Sequence, residues 1–328
     1  MKTGFGKWPY LCTRKIRKYR KMKRIIHLCS FSRQGIADAS IALLFWLNKN
    51  AVLLAACLCG MFQAEARPDC QPGSCEIDTL VSLCIQNGER QIYGILSRPR
   101  YTGERQPVAI ISHGFNGTGD FGRSYFEALN ALGWQCYTFD FPCGSVRSRS
   151  DSNTMNMSVL DEQSDLEAIV RYFQKQPDVD PDRIVLIGES QGGLVSALTA
   201  ASIPKEINKL VLIYPALCIP DNWNERYPDA SRIPDTTRMW NVPLGRRYFT
   251  EVRDIKVFRT IPKFRGPVLI IQGDADPVVS MEDSRRAVQK YKDARLHVIP
   301  GAGHGFKEKE RAEAIEQIRA FLNPVSGR

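Results

Sequence analysis

From residue 76 onward, short apolar runs alternate with amphipathic stretches, and this alternation limits the fold more than any single motif does. Residues 108–112, 135–141, 183–187, 210–214, 268–272 and 296–299 are each of strand length and mostly apolar from end to end. Such strands are buried on both faces, as in a parallel sheet covered by helices rather than a half-solvated antiparallel one. Helices are expected over about 122–132, 160–176, 281–291 and 307–322, with another beginning at Ser190. Residues 77–85 and 91–96 flank Asn87-Gly88 and read as an antiparallel pair joined by a tight turn. The expected fold class is α/β, with a mostly parallel central sheet flanked by helices. In such sheets reactive groups belong in the loops beyond the carboxyl ends of strands.

Three loops of that kind carry chemistry. Gly188-Glu189-Ser190-Gln191-Gly192 joins the apolar run ending at Ile187 to a small-residue helical stretch. A side chain at the apex of such a turn is exposed, and the glycines let neighbouring backbone approach without Cβ contacts. The helix that follows favours developing negative charge at its N-terminus. Taken alone, the pentapeptide matches about 0.1 times by chance in a chain of this length, given the usual abundance of Gly and Ser. The next strand-end loops supply the missing groups. Gly273-Asp274-Ala275-Asp276 follows one strand and Gly301-Ala302-Gly303-His304 follows another. The order nucleophile, acid, histidine is then Ser190, Asp276, His304. Asp274 competes with Asp276 for the acid, and Asp276 also suits a helix-capping job. Of the four histidines, His27 lies in the N-terminal leader, His113 opens a glycine-containing loop and His297 falls within a strand, which leaves His304 as the base.

Over about 76–324 the chain resembles an α/β-hydrolase, and in detail it is similar to bacterial cinnamoyl and feruloyl esterases. The resemblance is carried by His113-Gly114-Phe115-Asn116-Gly117, Phe139-Asp140-Phe141, Gly188 to Gly193 and Leu244-Gly245-Arg246-Arg247-Tyr248-Phe249. It implies a Ser190–His304–Asp276 triad and an oxyanion hole built from the backbone amides of Phe115 and Gln191. It also implies a cofactor-free carboxylic-ester hydrolase working through an acyl-enzyme on aromatic or other small acyl esters, free or linked to polysaccharide. Pro142-Cys143-Gly144-Ser145 departs from the Gly-His-Gly of many relatives. A small cap insertion is expected over about 218–264, rich in Trp, Tyr, Phe and Pro, its rings divided between its own core and an acyl pocket. The rival readings are a serine peptidase of the acylaminoacyl or prolyl type and, more remotely, a non-catalytic binding protein on the same fold.

The formal net charge of +10 looks like a nucleic-acid signal until it is located. Residues 1–66 hold twelve Lys or Arg against Asp38 and Glu65, so the leader carries the whole excess and 67–328, the expected catalytic domain, is neutral. No nucleic-acid partner is expected. The leader itself has a basic stretch, two short apolar runs and Ala64-Glu65-Ala66, which together read as an export signal to the periplasm or medium. Its length favours a translation start downstream of Met1, at Met22 or near Leu47. Leu54-Ala55-Ala56-Cys57 leaves lipoprotein anchoring as an alternative, while Asn48-Lys49-Asn50 splits the apolar runs below spanning length. Six cysteines lie beyond the leader. Cys70 and Cys75 are the expected local disulfide, and Cys84, Cys136 and Cys218 are read either as paired or as small buried hydrophobes. No Cys/His cluster has zinc spacing, so no metal is expected.

Overall fold

The computed structural model describes residues 77–100 and 103–322. The leader, its cleavage and lipoprotein motifs and the Cys70–Cys75 pair lie outside the described residues.

The main sheet has eight strands, in the order β1 (Ile77–Asn87), β2 (Arg90–Pro99), β4 (Gln135–Phe139), β3 (Gln106–Ser112), β5 (Val179–Glu189), β6 (Lys209–Ile213), β9 (Val268–Gly273) and β10 (Ala294–Ile299). From β4 to β10 all neighbours are parallel, and the antiparallel β1–β2 hairpin is added at one edge. A separate antiparallel ribbon pairs β7 (Thr236–Met239) with β8 (Val242–Gly245). The helices are α1 (Phe126–Asn130), α2 (Val159–Gln174), α3 (Ser190–Ser202), α4 (Ile219–Arg226), α5 (Arg247–Thr250), α6 (Val257–Thr260), α7 (Met281–Lys290) and α8 (Glu308–Leu322).

Alternation along each strand divides the core into two layers. In β5, Ile184 and Leu186 join the cluster under α2, α3 and the cap, while Val185 and Ile187 join the one under α1 and α8. Because both faces are covered, β3 and β9 are buried at every position.

Two local expectations are corrected. Residues 122–132 do not form one helix: a 3-10 turn, Gly119–Tyr125, precedes the short α1. Gly122 lies so close to β4 that a Cβ there would sit 2.3 Å from Thr138 Oγ1, which holds the segment against the sheet. The strand over 135–141 ends at Phe139, because the Asp140 carboxylate accepts from the Gly119 amide at 2.7 Å and from Arg149 at 2.8 Å, turning the chain out of the sheet. The four described cysteines are free thiols. Cys136 is buried on β4, whereas Cys84 is exposed and Cys218 is half-buried ahead of α4 rather than on a strand. Residues 218–264 hold α4, the β7–β8 ribbon, α5 and α6. Among the described residues no helix is long and apolar enough to cross a membrane.

Candidate active site

Ser190 sits where β5 becomes α3, with a backbone φ of +49°, in the left-handed region that a side chain rarely occupies. Such a conformation costs on the order of 1–3 kcal/mol and persists only where its surroundings enforce it. Here they do. A Cβ at Gly188 would lie 2.3 Å from Gly192 O, and one at Gly192 would lie 2.4 Å from His113 O. Both glycines are therefore required by close backbone approach, and the turn projects the Ser190 hydroxyl from the carboxyl end of the sheet.

Asp276 and His304 are brought to it by two loops that zip together. A Cβ at Gly273 would lie 2.2 Å from Ala302 O, and the Ala275 amide donates to that same carbonyl at 3.0 Å. His304 Nε2 then lies 3.0 Å from Ser190 Oγ, and His304 Nδ1 lies 2.9 Å from Asp276 Oδ2. The two aspartates separate by partner: Asp274 accepts from the Gly301 amide at 2.6 Å, whereas Asp276 faces the imidazole. Asp276 Oδ1 accepts from the amides of Val278 and Val279, and Ser280 caps α7. Burial opposes ionisation of Asp276, but the hydrogen bond from His304 and those two amides hold its carboxyl below the usual carboxylate range. The imidazole also packs against Tyr214, ring centroids 4.8 Å apart.

The loop carrying Phe115 is fixed from both sides. His113 is fully buried: its Nε2 accepts the Phe141 amide at 3.0 Å, so its Nδ1 carries the proton and donates to Gly114 O at 2.7 Å. The Gly114 amide donates to Glu189 Oε1 at 3.2 Å, and the Tyr214 hydroxyl donates to Glu189 Oε2. Burial pushes the Glu189 carboxyl up. This holds Gly114 so close to the serine that a Cβ there would lie 3.0 Å from Ser190 Cβ, with Phe115 next in the chain. Gln191, the other expected oxyanion residue, is buried at the first turn of α3.

Burial holds the His113 imidazole below its ordinary range. The unfolded chain therefore takes up this proton first, at about pH 6.5. Stability should be fully present above that pH and fall as pH drops from it toward the lower folded value. Thermal melting between pH 7 and 5 should show this slope in the native protein and a shallower one in His113→Gln.

Sequence reasoning missed Glu189, Tyr214 and Gln272. Gln272 donates to Asp276 Oδ2 at 3.0 Å and accepts from Ser284 at 3.0 Å. Its signal was a lone polar residue ending the apolar run of β9; Glu189 and Tyr214 likewise close the runs of β5 and β6. Among the described residues no three His, Cys, Asp or Glu side chains converge as metal ligands.

Residues 158–328 match the prolyl oligopeptidase family. The chain is 27% identical over 231 residues to an uncharacterized protein of Mycobacterium tuberculosis, spanning 70% of this chain and 74% of that one. It is 24% identical to the serine hydrolase BPHL of Homo sapiens, spanning 73% and 87%. The solved structure of Est1E from Butyrivibrio proteoclasticus with ferulic acid bound superimposes with a TM-score of 0.67, at 27% identity, over 73% of this chain and 97% of Est1E.

Proposed function

The chain belongs to the prolyl oligopeptidase family and has the α/β-hydrolase fold, and from that premise we propose that it hydrolyses carboxylic esters of aromatic, hydroxycinnamoyl-type acids through Ser190, His304 and Asp276. The observation that carries this reading is the unbroken relay from Asp276 Oδ2 through His304 to Ser190 Oγ, at 2.9 and 3.0 Å.

A serine hydroxyl is a weak nucleophile at neutral pH, so His304 Nε2 takes its proton as Oγ attacks the ester carbonyl. Asp276 keeps the other ring proton on Nδ1 and stabilises the imidazolium that forms. The amides of Phe115 and Gln191 face the developing oxyanion, where one donor is worth about 10²–10³ in kcat. His304 next protonates the departing alcohol. It then activates the water that releases the acid and restores Ser190.

The aromatic acyl group is supported by the ferulic acid bound to Est1E and by the apolar rim. Trp240, at the tip of the β7–β8 ribbon, is 67% exposed and lies edge-on to Phe115 with centroids 5.7 Å apart. Val146 and Val278, beyond the carboxyl ends of β4 and β9, are also exposed. Aromatic pairs of this geometry are worth about 0.5–1.5 kcal/mol beyond burial, so a planar acyl group has a ring to settle on. The leader supports action outside the cytoplasm.

Catalytic efficiencies on p-nitrophenyl ferulate, acetate and butyrate, which share a leaving group, test the acyl preference. We expect ferulate to exceed acetate by up to about tenfold, the upper end of one such ring contact. Equal values would reduce the reading to a general carboxylesterase. The family match also favours a second reading, a serine peptidase, which aminoacyl p-nitroanilides cleaved faster than the esters would establish.

A further inference from the structure

We propose that Tyr248 and Glu162 are positioning residues of the oxyanion hole, holding Gln191 from opposite ends so that seating of the cap and stabilisation of the transition state are coupled. The proposal rests on the ester-hydrolase reading above and deepens it.

Gln191 follows the nucleophile, and its side chain points away from the site into a buried polar chain. The Tyr248 hydroxyl donates to Gln191 Oε1 at 2.7 Å, and Gln191 Nε2 donates to both Glu162 oxygens, each at 2.9 Å. All three side chains are buried, at 1–2% exposure. An apolar trio would avoid the cost of burying them, and a half-satisfied one would be worse than either. The arrangement fixes the side chain of one of the two proposed oxyanion residues. Tyr248 also packs on Phe115, the other such residue, with ring centroids 6.1 Å apart. One cap residue thus touches both.

The cap segment that carries Tyr248 is docked on the segment that carries Glu162. Arg247 forms a two-pronged ion pair with Asp161 at 2.7 and 2.8 Å and also meets Glu251, whose other oxygen accepts from Ser158. Thr154 donates to Pro243 O at 2.7 Å. Arg247 therefore binds Asp161 directly at the edge, while the next residue, Tyr248, reaches the next acid, Glu162, through Gln191 in the interior. A cap lifted off this seat withdraws the donor from Gln191 at the same moment.

Burial pushes the Glu162 carboxyl up to about 8; the Gln191 hydrogen bond and Arg90 of β2 oppose the rise, and Asp165 and Asp161 on its own helix add to it. The other titratable group acting with it is the Tyr248 hydroxyl from α5, and Gly144 lies against Glu162 Oε1. Burial thus favours the neutral acid to a higher pH than for a free carboxyl. Its ionisation places a negative charge at the far end of Gln191, which disfavours the oxyanion at the near end.

The test uses purified enzyme, p-nitrophenyl acetate and a trifluoromethyl ketone whose hydrate-like adduct with the serine presents an oxyanion. Loss of one hydrogen bond in Tyr248→Phe should lower kcat about tenfold and weaken the ketone by a similar factor, with KM within about twofold. Glu162→Gln should abolish the fall in kcat that the native enzyme shows as pH rises through about 8. Native ester turnover that vanishes in Ser190→Ala, together with unchanged kcat and ketone affinity in Tyr248→Phe, would overturn the positioning role. So would an alkaline limb that is absent from the native enzyme or identical in Glu162→Gln. No ester turnover by the native enzyme would instead reject the hydrolase reading beneath it.

Discussion

Ser190→Ala is expected to lower kcat on p-nitrophenyl acetate by about 10⁴–10⁶-fold, the range seen when a serine hydrolase loses its nucleophile but keeps its oxyanion donors. The substitution removes one atom, Oγ, whose recorded partner is His304 Nε2 at 3.0 Å. The left-handed backbone at φ +49° is imposed by Gly188, Gly192 and the 113–115 loop, and alanine meets the same constraint that serine does. Melting temperature should therefore move by no more than a few degrees, consistent with a surface-site change of about 0.5 kcal/mol. A fluorophosphonate probe gives an independent readout: it should label the peptide containing Ser190 in the native protein and leave Ser190→Ala unlabelled. Turnover above a hundredth of native in the unlabelled variant would place the nucleophile elsewhere.

The parallel core was legible because burial on both faces leaves a direct imprint: β3 and β9 read as mostly apolar runs, and they are buried at every residue. Likewise the spacing of Ser190, Asp276 and His304 was legible because each closes or follows such a run. Other features left no imprint. Whether residues 122–132 make one helix depends on Gly122 meeting Thr138, a contact between segments sixteen residues apart. Gln191 was read for its backbone amide, yet its side chain is anchored by Glu162 and by Tyr248, 29 and 57 residues away. Pairings at that separation are set by tertiary packing, which no local period encodes. Asp274 and Asp276 stood two residues apart with similar credentials, and only the approach of Gly301 to one and His304 to the other separates them.

Asp276→Asn carries the second large effect, because it keeps the shape of the side chain and reverses one hydrogen bond. Asp276 Oδ1 already accepts the amides of Val278 at 2.8 Å and Val279 at 3.0 Å. Asparagine satisfies those two donors only with its carbonyl oxygen, which turns its NH2 toward His304 Nδ1. An NH2 at that position needs an acceptor, so the imidazole gives up its Nδ1 proton and carries one on Nε2 instead. Nε2–H faces Ser190 Oγ and cannot take the hydroxyl proton. The NH2 also opposes the Gln272 amide, which donates to Oδ2 at 3.0 Å in the native protein, so the flipped alternative trades one clash for the loss of both backbone bonds. A wrong tautomer of this kind costs about 10⁴ in kcat while leaving the geometry intact. Stability should respond separately: the native carboxyl, held below its ordinary range, contributes stability above about pH 4 that is lost as pH falls through its lower folded value, and the asparagine variant should lack that acid slope. Steady-state rates on p-nitrophenyl acetate at pH 7 and melting curves from pH 6 to 3 measure the two effects independently. Asp274→Asn, which alters only the bond to the Gly301 amide, should retain kcat within about tenfold of native, and a loss matching that of Asp276→Asn would move the acid to Asp274.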